Sequence, residues 1–147
     1  MYKNLLIATD GSRLSEKAVQ HAIGLAKKLG ARVTAFYAAP AYPEPIYSEG
    51  IIYEMMSPED YAKAAAADAD KILGKVAKKA TAAGVVCTTK HSLSHLPWEA
   101  ILAAAKKNKC DAIVMGSHGR GGLAALLLGS ETQKVLAHSK LPVIVAR

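Results

Sequence analysis

Along this chain, short unbroken apolar runs alternate with longer segments in which apolar residues return every third or fourth position. The runs are "NLLIAT" (4–9), "RVTAFYAA" (32–39), "VVCTTK" (85–90), "DAIVMG" (111–116) and "LPVIVA" (141–146), and each reads as a buried strand. The first ends at Thr9-Asp10-Gly11-Ser12. A helical segment follows, with Leu14, Ala18, His21, Ala22, Leu25, Ala26 and Leu29 near one face and Gly30 as terminator. Residues 40–56 carry three prolines and three tyrosines with little periodicity, the pattern of a long surface loop or lid. Ser57-Pro58-Glu59-Asp60 then opens a helix running to Gly84: a capping serine, proline in the first turn and acids at the positive end. Pro97 opens another through "WEAILAAAKKN", and Ser130–His138 is the last.

Strands that alternate with helices predict an α/β fold, a five-stranded parallel sheet with helices on both faces. Right-handed crossovers restrict the topology. The order expected is 3-2-1-4-5, which makes the first and fourth strands neighbours at the switch point. Open α/β sheets bind ligands beyond the carboxyl ends of such strands. The loops there are "TDGS" and "GSHGRGGLAALLLGS" (116–130), the second with five glycines and two serines.

Composition narrows the class. At 147 residues, 51% hydrophobic and 21% charged, the chain suits one globular domain, 1–147. No apolar stretch reaches the roughly 18 residues of a membrane span. Asp10 interrupts the first apolar run before it reaches the length of a secretory signal, so a cytoplasmic location is expected. Cys87 and Cys110 lack metal-like spacing and read as buried free thiols. The net charge of +7 attracts anions in general. The lysines, however, stand in pairs late in the helices, where cations complement the dipole. No basic stripe interleaved with aromatics supports nucleic acid. His91 and His95 have no third ligand and no HExxH, which argues against zinc. Trp98 reads as a packing residue, as do Tyr42, Tyr47 and Tyr53.

The glycine-rich loop carries the chemistry. It is not a Walker loop, since GxxxxGK[ST] is missing, and no GxGxxG follows the first strand. Ser117 is no nucleophile elbow, because Met115 stands where glycine is required. What stands there is Gly116-x2-Gly119-x9-Gly129-Ser130. Glycines let backbone amides approach an anion, and Gly129-Ser130 presents amides at a helix start whose partial positive charge suits phosphate. His118 and Arg120 add donors from within the loop. The competing reading is structural: Ser130-Glu131-Thr132-Gln133 forms a capping box, with Gln133 returning to the Ser130 amide.

"ATDGS", "GSHGRGGLAALLLGS" and "LPVIVAR" together resemble the universal stress protein family over the whole chain, and the glycine pattern resembles its ATP-binding branch. The resemblance implies a Rossmann-like fold of the adenine nucleotide alpha hydrolase-like type. It also implies ATP, with AMP or ADP as alternatives, and Mg2+ bridging the phosphates. Phosphates would rest on Gly116, Gly119, Gly129 and Ser130, with His118, Arg120, Glu131 and Thr132 around them. Thr9, Asp10 and Gly11 would lie beside ribose and adenine, Ala38 where backbone groups recognise adenine, and Met115 along the crevice. Glu131 stands where many ATP-binding members have a small or apolar residue. Beside a triphosphate it repels unless it points outward or meets magnesium. The resemblance further implies a homodimer joined through the last strand, an apolar edge that otherwise needs protection. The function implied is a nucleotide-dependent stress-response regulator. The alternatives are a slow ATPase or adenylate-using enzyme with Asp10 and His118 as candidate groups, and a ligand-free dimeric interaction protein.

Overall fold

The computed structural model describes residues 1–45, 47–48, 51–52, 56–118 and 128–147, the segments 47–48 and 51–52 as backbone alone. The elements in chain order are β1 (Asn4–Ala8), α1 (Arg13–Leu29), β2 (Arg32–Pro40), β3 (Tyr47–Ser48), β4 (Ile51–Ile52), α2 (Pro58–Ala82), β5 (Cys87–Ser94), α3 (Pro97–Lys107), β6 (Ala112–Gly116), α4 (Ser130–His138) and β7 (Val143–Ala146). The sheet runs β5-β2-β1-β6-β7, with every neighbouring pair parallel. Setting aside β3 and β4, which pair antiparallel with each other, this is the order 3-2-1-4-5. Gly119–Leu127 lie outside the described residues, and with them Gly119 and Arg120.

β1 and β6 are buried along their whole length, as strands covered on both faces must be. Alternate residues divide between two cores. Leu5, Ile7, Val33, Ala35 and Val114 pack with Val19, Ile23, Leu73 and Val76 of α1 and α2. Leu6, Ala8, Phe36, Ile113 and Met115 pack with Ile101, Ala105 and Val135 of α3 and α4. The face α1 buries is Ser15, Ala18, Val19, Ala22, Ile23 and Ala26. The alanines were read correctly, but Leu14 and Leu29 are 48% and 37% exposed, and His21 also faces outward. The apolar stripe is centred on small residues with Val19 and Ile23 at its flank, which lets α1 lie close on the sheet.

β5 begins two residues later than its apolar run and continues to Ser94, which makes His91 a strand residue paired with Tyr37. Its outward side chains are polar, so periodicity alone did not reveal its length. The 40–56 segment contains the β3–β4 pairing, which its sequence pattern also did not announce.

The amino ends of three strands meet around Asn4, which is 3% exposed. Its Nδ2 donates to the Asn108 carbonyl at 3.0 Å, and its Oδ1 accepts from Thr34 Oγ1 at 3.1 Å. Asn4 Nδ2 also lies 3.4 Å from Cys110 Sγ. Both cysteines are free thiols, Cys110 buried and Cys87 half-buried. Burial raises the pKa of each. No helix among the described residues is long and apolar enough to cross a membrane.

Candidate functional site

Two loops leave the carboxyl ends of the adjacent strands β1 and β6. The loop after β1 is short and internally bonded. Thr9 N donates to the Phe36 carbonyl at 3.0 Å, which prolongs the ladder by one residue. Thr9 Oγ1 and Ser15 Oγ lie 3.0 Å apart and buried, and the Gly11 amide donates to Thr9 Oγ1 at 3.2 Å. Asp10 Oδ1 accepts from the Ser12 amide at 2.9 Å, a side-chain turn that fixes its carboxylate at the loop's rim. Ser12 caps α1 by accepting from Ser15 N at 3.2 Å. Gly11 sits at φ 77°, and a Cβ there would meet Ile72 Cγ1 of α2 at 2.9 Å. Glycine is required at that position on both counts.

The loop after β6 starts by extending the sheet and is then pinned at its base. Ser117 N donates to the Ala146 carbonyl at 3.0 Å, and Gly129 N returns to the Ser117 carbonyl at 2.7 Å. Thr132 Oγ1, buried, donates to the Gly116 carbonyl at 3.0 Å, and Gln133 Nε2 donates to the Leu128 carbonyl at 2.7 Å. Ser117 Oγ lies 3.0 Å from His118 Nδ1. A Cβ on Gly116 would meet the Leu14 carbonyl oxygen and the His118 carbonyl oxygen, each at 3.3 Å. Glycine there allows β6 to end tight against the first turn of α1.

The start of α4 corrects the capping-box expectation. Gly129 is the N-cap and Ser130 the first helical residue, so Ser130 does not cap. Gln133 bonds the Leu128 carbonyl instead of returning to the Ser130 amide. The loop closes between Ser117 and Gly129, which moves the helix boundary one residue earlier than the Ser-x-x-Gln spacing suggests. Among the described residues no side chain caps the first turn of α4. Glu131 reaches instead to α3, where Oε2 accepts from Trp98 N at 2.9 Å.

The structure thus brings Thr9, Asp10 and Gly11 to one side of the β1–β6 switch point and Gly116, His118, Gly129, Ser130 and Thr132 to the other. Ala38 lies on β2, paired with Ser92 and half-buried over the second core. Met115 is 6% exposed within that core. Sequence reasoning passed over Ser12 and Ser15, which hold the first loop. A serine directly before helical periodicity was the available signal for Ser12.

The model of the universal stress protein family matches residues 1–147. The chain is 36% identical to universal stress protein MJ0531 of Methanocaldococcus jannaschii, over all of this chain and 83% of that protein. Among solved structures, the protein MJ0577 superposes with a TM-score of 0.81 at 23% identity, covering 99% of this chain and 96% of that one. A universal stress protein solved in complex with cAMP superposes with a TM-score of 0.73 at 25% identity, covering 99% and 97%.

Proposed function

The chain belongs to the universal stress protein family, and from that premise we propose that it is a cytoplasmic, homodimeric regulator of the stress response that works by binding ATP. The observation that carries this reading is the start of α4. A helix of nine residues begins behind a glycine N-cap, its first turn has no side-chain cap among the described residues, and it is tied to the end of β6, the strand that pairs with β1. Helix amino termini of this kind favour phosphate through their amides and dipole. The phosphates would lie on Gly129 and Ser130, with the backbone of Glu131 and Thr132 behind them and Gly116, His118, Gly119 and Arg120 alongside. Ribose and adenine would extend over Thr9, Asp10 and Gly11 towards Ala38, above Met115.

Two features support the fit. Thr132 and Gln133 spend their side chains on the base of the loop, so the first-turn amides do not compete with them for an acceptor. The similar protein solved with cAMP holds a ligand of the same adenine nucleotide class. Among the described residues no three His, Cys, Asp or Glu side chains stand together, and in this reading magnesium enters with the phosphates.

Titration calorimetry with ATP and magnesium tests the reading, and saturable binding is its expected result. Gly129→Glu sets a carboxylate at the helix start and lowers affinity more than about tenfold, on the order of 1.4 kcal/mol or more. Gly119→Asp acts in the same direction. Absence of saturable heat with ATP, ADP and AMP overturns the reading.

The dimer is tested separately. β7 is the edge of the sheet beside β6, and Val143–Ala146 are half-buried with no further strand beyond them among the described residues. A second copy pairing there would cover the edge. Ile144→Pro removes a backbone donor from that strand. Light scattering is expected to find the wild type at twice the chain mass and the variant as monomer or aggregate. An unchanged dimer places the contact elsewhere.

A further inference from the structure

At the junction of α3 and α4 a carboxylate from one helix serves the backbone of the other. The N-cap of α3 is Leu96, which offers no side-chain acceptor, and Pro97 follows at the first helical position without an N–H. Trp98 N is therefore the first amide of α3 that needs an acceptor. Glu131 Oε2 supplies it at 2.9 Å across 33 residues of sequence, in a partly buried bond. The same tryptophan is held at the far end of α4, where its ring lies 4.5 Å from that of His138, tilted by 31°. His138 Nδ1 in turn lies 2.8 Å from the Lys134 carbonyl oxygen, and Lys134 Nζ lies 3.6 Å from Glu131 Oε1. Trp98 is thus gripped by the first and last turns of α4 together.

We propose that Glu131 is a positioning residue for the nucleotide site. Through Trp98 N–H it fastens the first turn of α4 to α3, and it commits its own negative charge to the positive end of α3. This inference rests on the nucleotide reading of the α4 start. It answers the difficulty that a carboxylate in that turn presents to a triphosphate: the group has a partner on a neighbouring helix. The dipole of α3 and the Lys134 ammonium offset its charge there. α4 has only nine residues, and a helix this short relies on tertiary contacts to hold its direction. Losing the clasp loosens the turn whose amides would meet the phosphates, although Glu131 donates nothing to the ligand through its side chain.

The test compares wild-type protein, E131Q and E131A, with magnesium ATP as the probe. Calorimetry gives the affinity, and hydrogen exchange at the Trp98 amide gives the state of the clasp. Gln retains an oxygen acceptor and removes the charge, whereas Ala removes both. E131A is expected to exchange Trp98 N–H at least about tenfold faster and to bind ATP about five- to tenfold more weakly. E131Q is expected to stay within about threefold of wild type on both readings, a rescue that a carboxylate facing the phosphates would not give. E131A binding as tightly as wild type overturns the positioning role alone. So does E131Q binding about tenfold tighter, since that reports a repulsive charge beside the phosphates. If E131A gives no cooperative melt, E131D, one methylene shorter, replaces it under the same criteria. Wild-type protein that binds no adenine nucleotide overturns the nucleotide reading first, and this role with it.

Discussion

The helices that leave the switch point, α1 and α4, begin in opposite ways. α1 follows a four-residue loop whose side chains bond within the loop and to the first turn of that helix. Ser12 caps Ser15, Asp10 holds the Ser12 amide, and Thr9 holds Gly11 and meets Ser15. α4 follows a long glycine-rich segment, and its first side chains turn outward, Glu131 to α3, Thr132 to β6 and Gln133 to the loop. Its N-cap is a glycine with nothing to offer. A side chain thus caps the helix start at one strand end, whereas among the described residues none caps it at the next, where in the proposed reading a phosphate supplies the acceptor.

That contrast can be broken most severely at Gly11. Alanine there takes up φ 77°, which costs about 1–2 kcal/mol for a residue with a Cβ. It also drives that Cβ to 2.9 Å from Ile72, a β-branched side chain with little freedom to turn aside. Overpacking of this kind costs about 1–3 kcal/mol. Gly11→Ala is expected to lose about 2–5 kcal/mol in urea denaturation, the sum of the two. A loss of about 1 kcal/mol or less, no more than the backbone conformation alone costs, means that α2 does not press on the first loop as the structure shows.

How far these features could be read from sequence follows from the range of the contacts involved. The five sheet strands, their order and the span Ser130–His138 were legible, because each rests on local periodicity or on general topological rules. So was the adjacency of β1 and β6, which follows from the order alone. The buried face of α1 was legible at its alanines and at Leu25, which packs half-buried against the first core, but not at Leu14, His21 or Leu29. Choosing Leu14 over Val19 ignored that small residues at the centre of the stripe bring the flanking ones into contact. The competing Ser130 cap fails because a Ser-x-x-Gln spacing is local, while the boundary is set by the Gly129–Ser117 closure. Glu131 was visible as an anomaly but not as a clasp, for its partner Trp98 belongs to another helix. Contacts between elements have no period to betray them.

The finest test makes the two helix starts alike. Gly129 has φ −60° and ψ 151°, Ser57 at the start of α2 has −61° and 152°, and Ser12 has −74° and 160°. The backbone at Gly129 is therefore already shaped for a capping serine, so glycine is not needed there for its conformation. Ser12→Ala, which strips the cap from α1, is expected to cost about 1 kcal/mol and leave ATP affinity within about threefold. Gly129→Ser, which adds one to α4, is expected to raise stability by only a few tenths of a kcal/mol, the usual difference between serine and glycine at an N-cap. The gain should appear without nucleotide, and ATP affinity should fall by about two- to threefold, because the new hydroxyl competes with phosphate for the same amides. Opposite signs in the two measurements are what the contrast requires. A variant that gains stability and binds ATP unchanged would show that the first turn of α4 takes no part in holding the ligand.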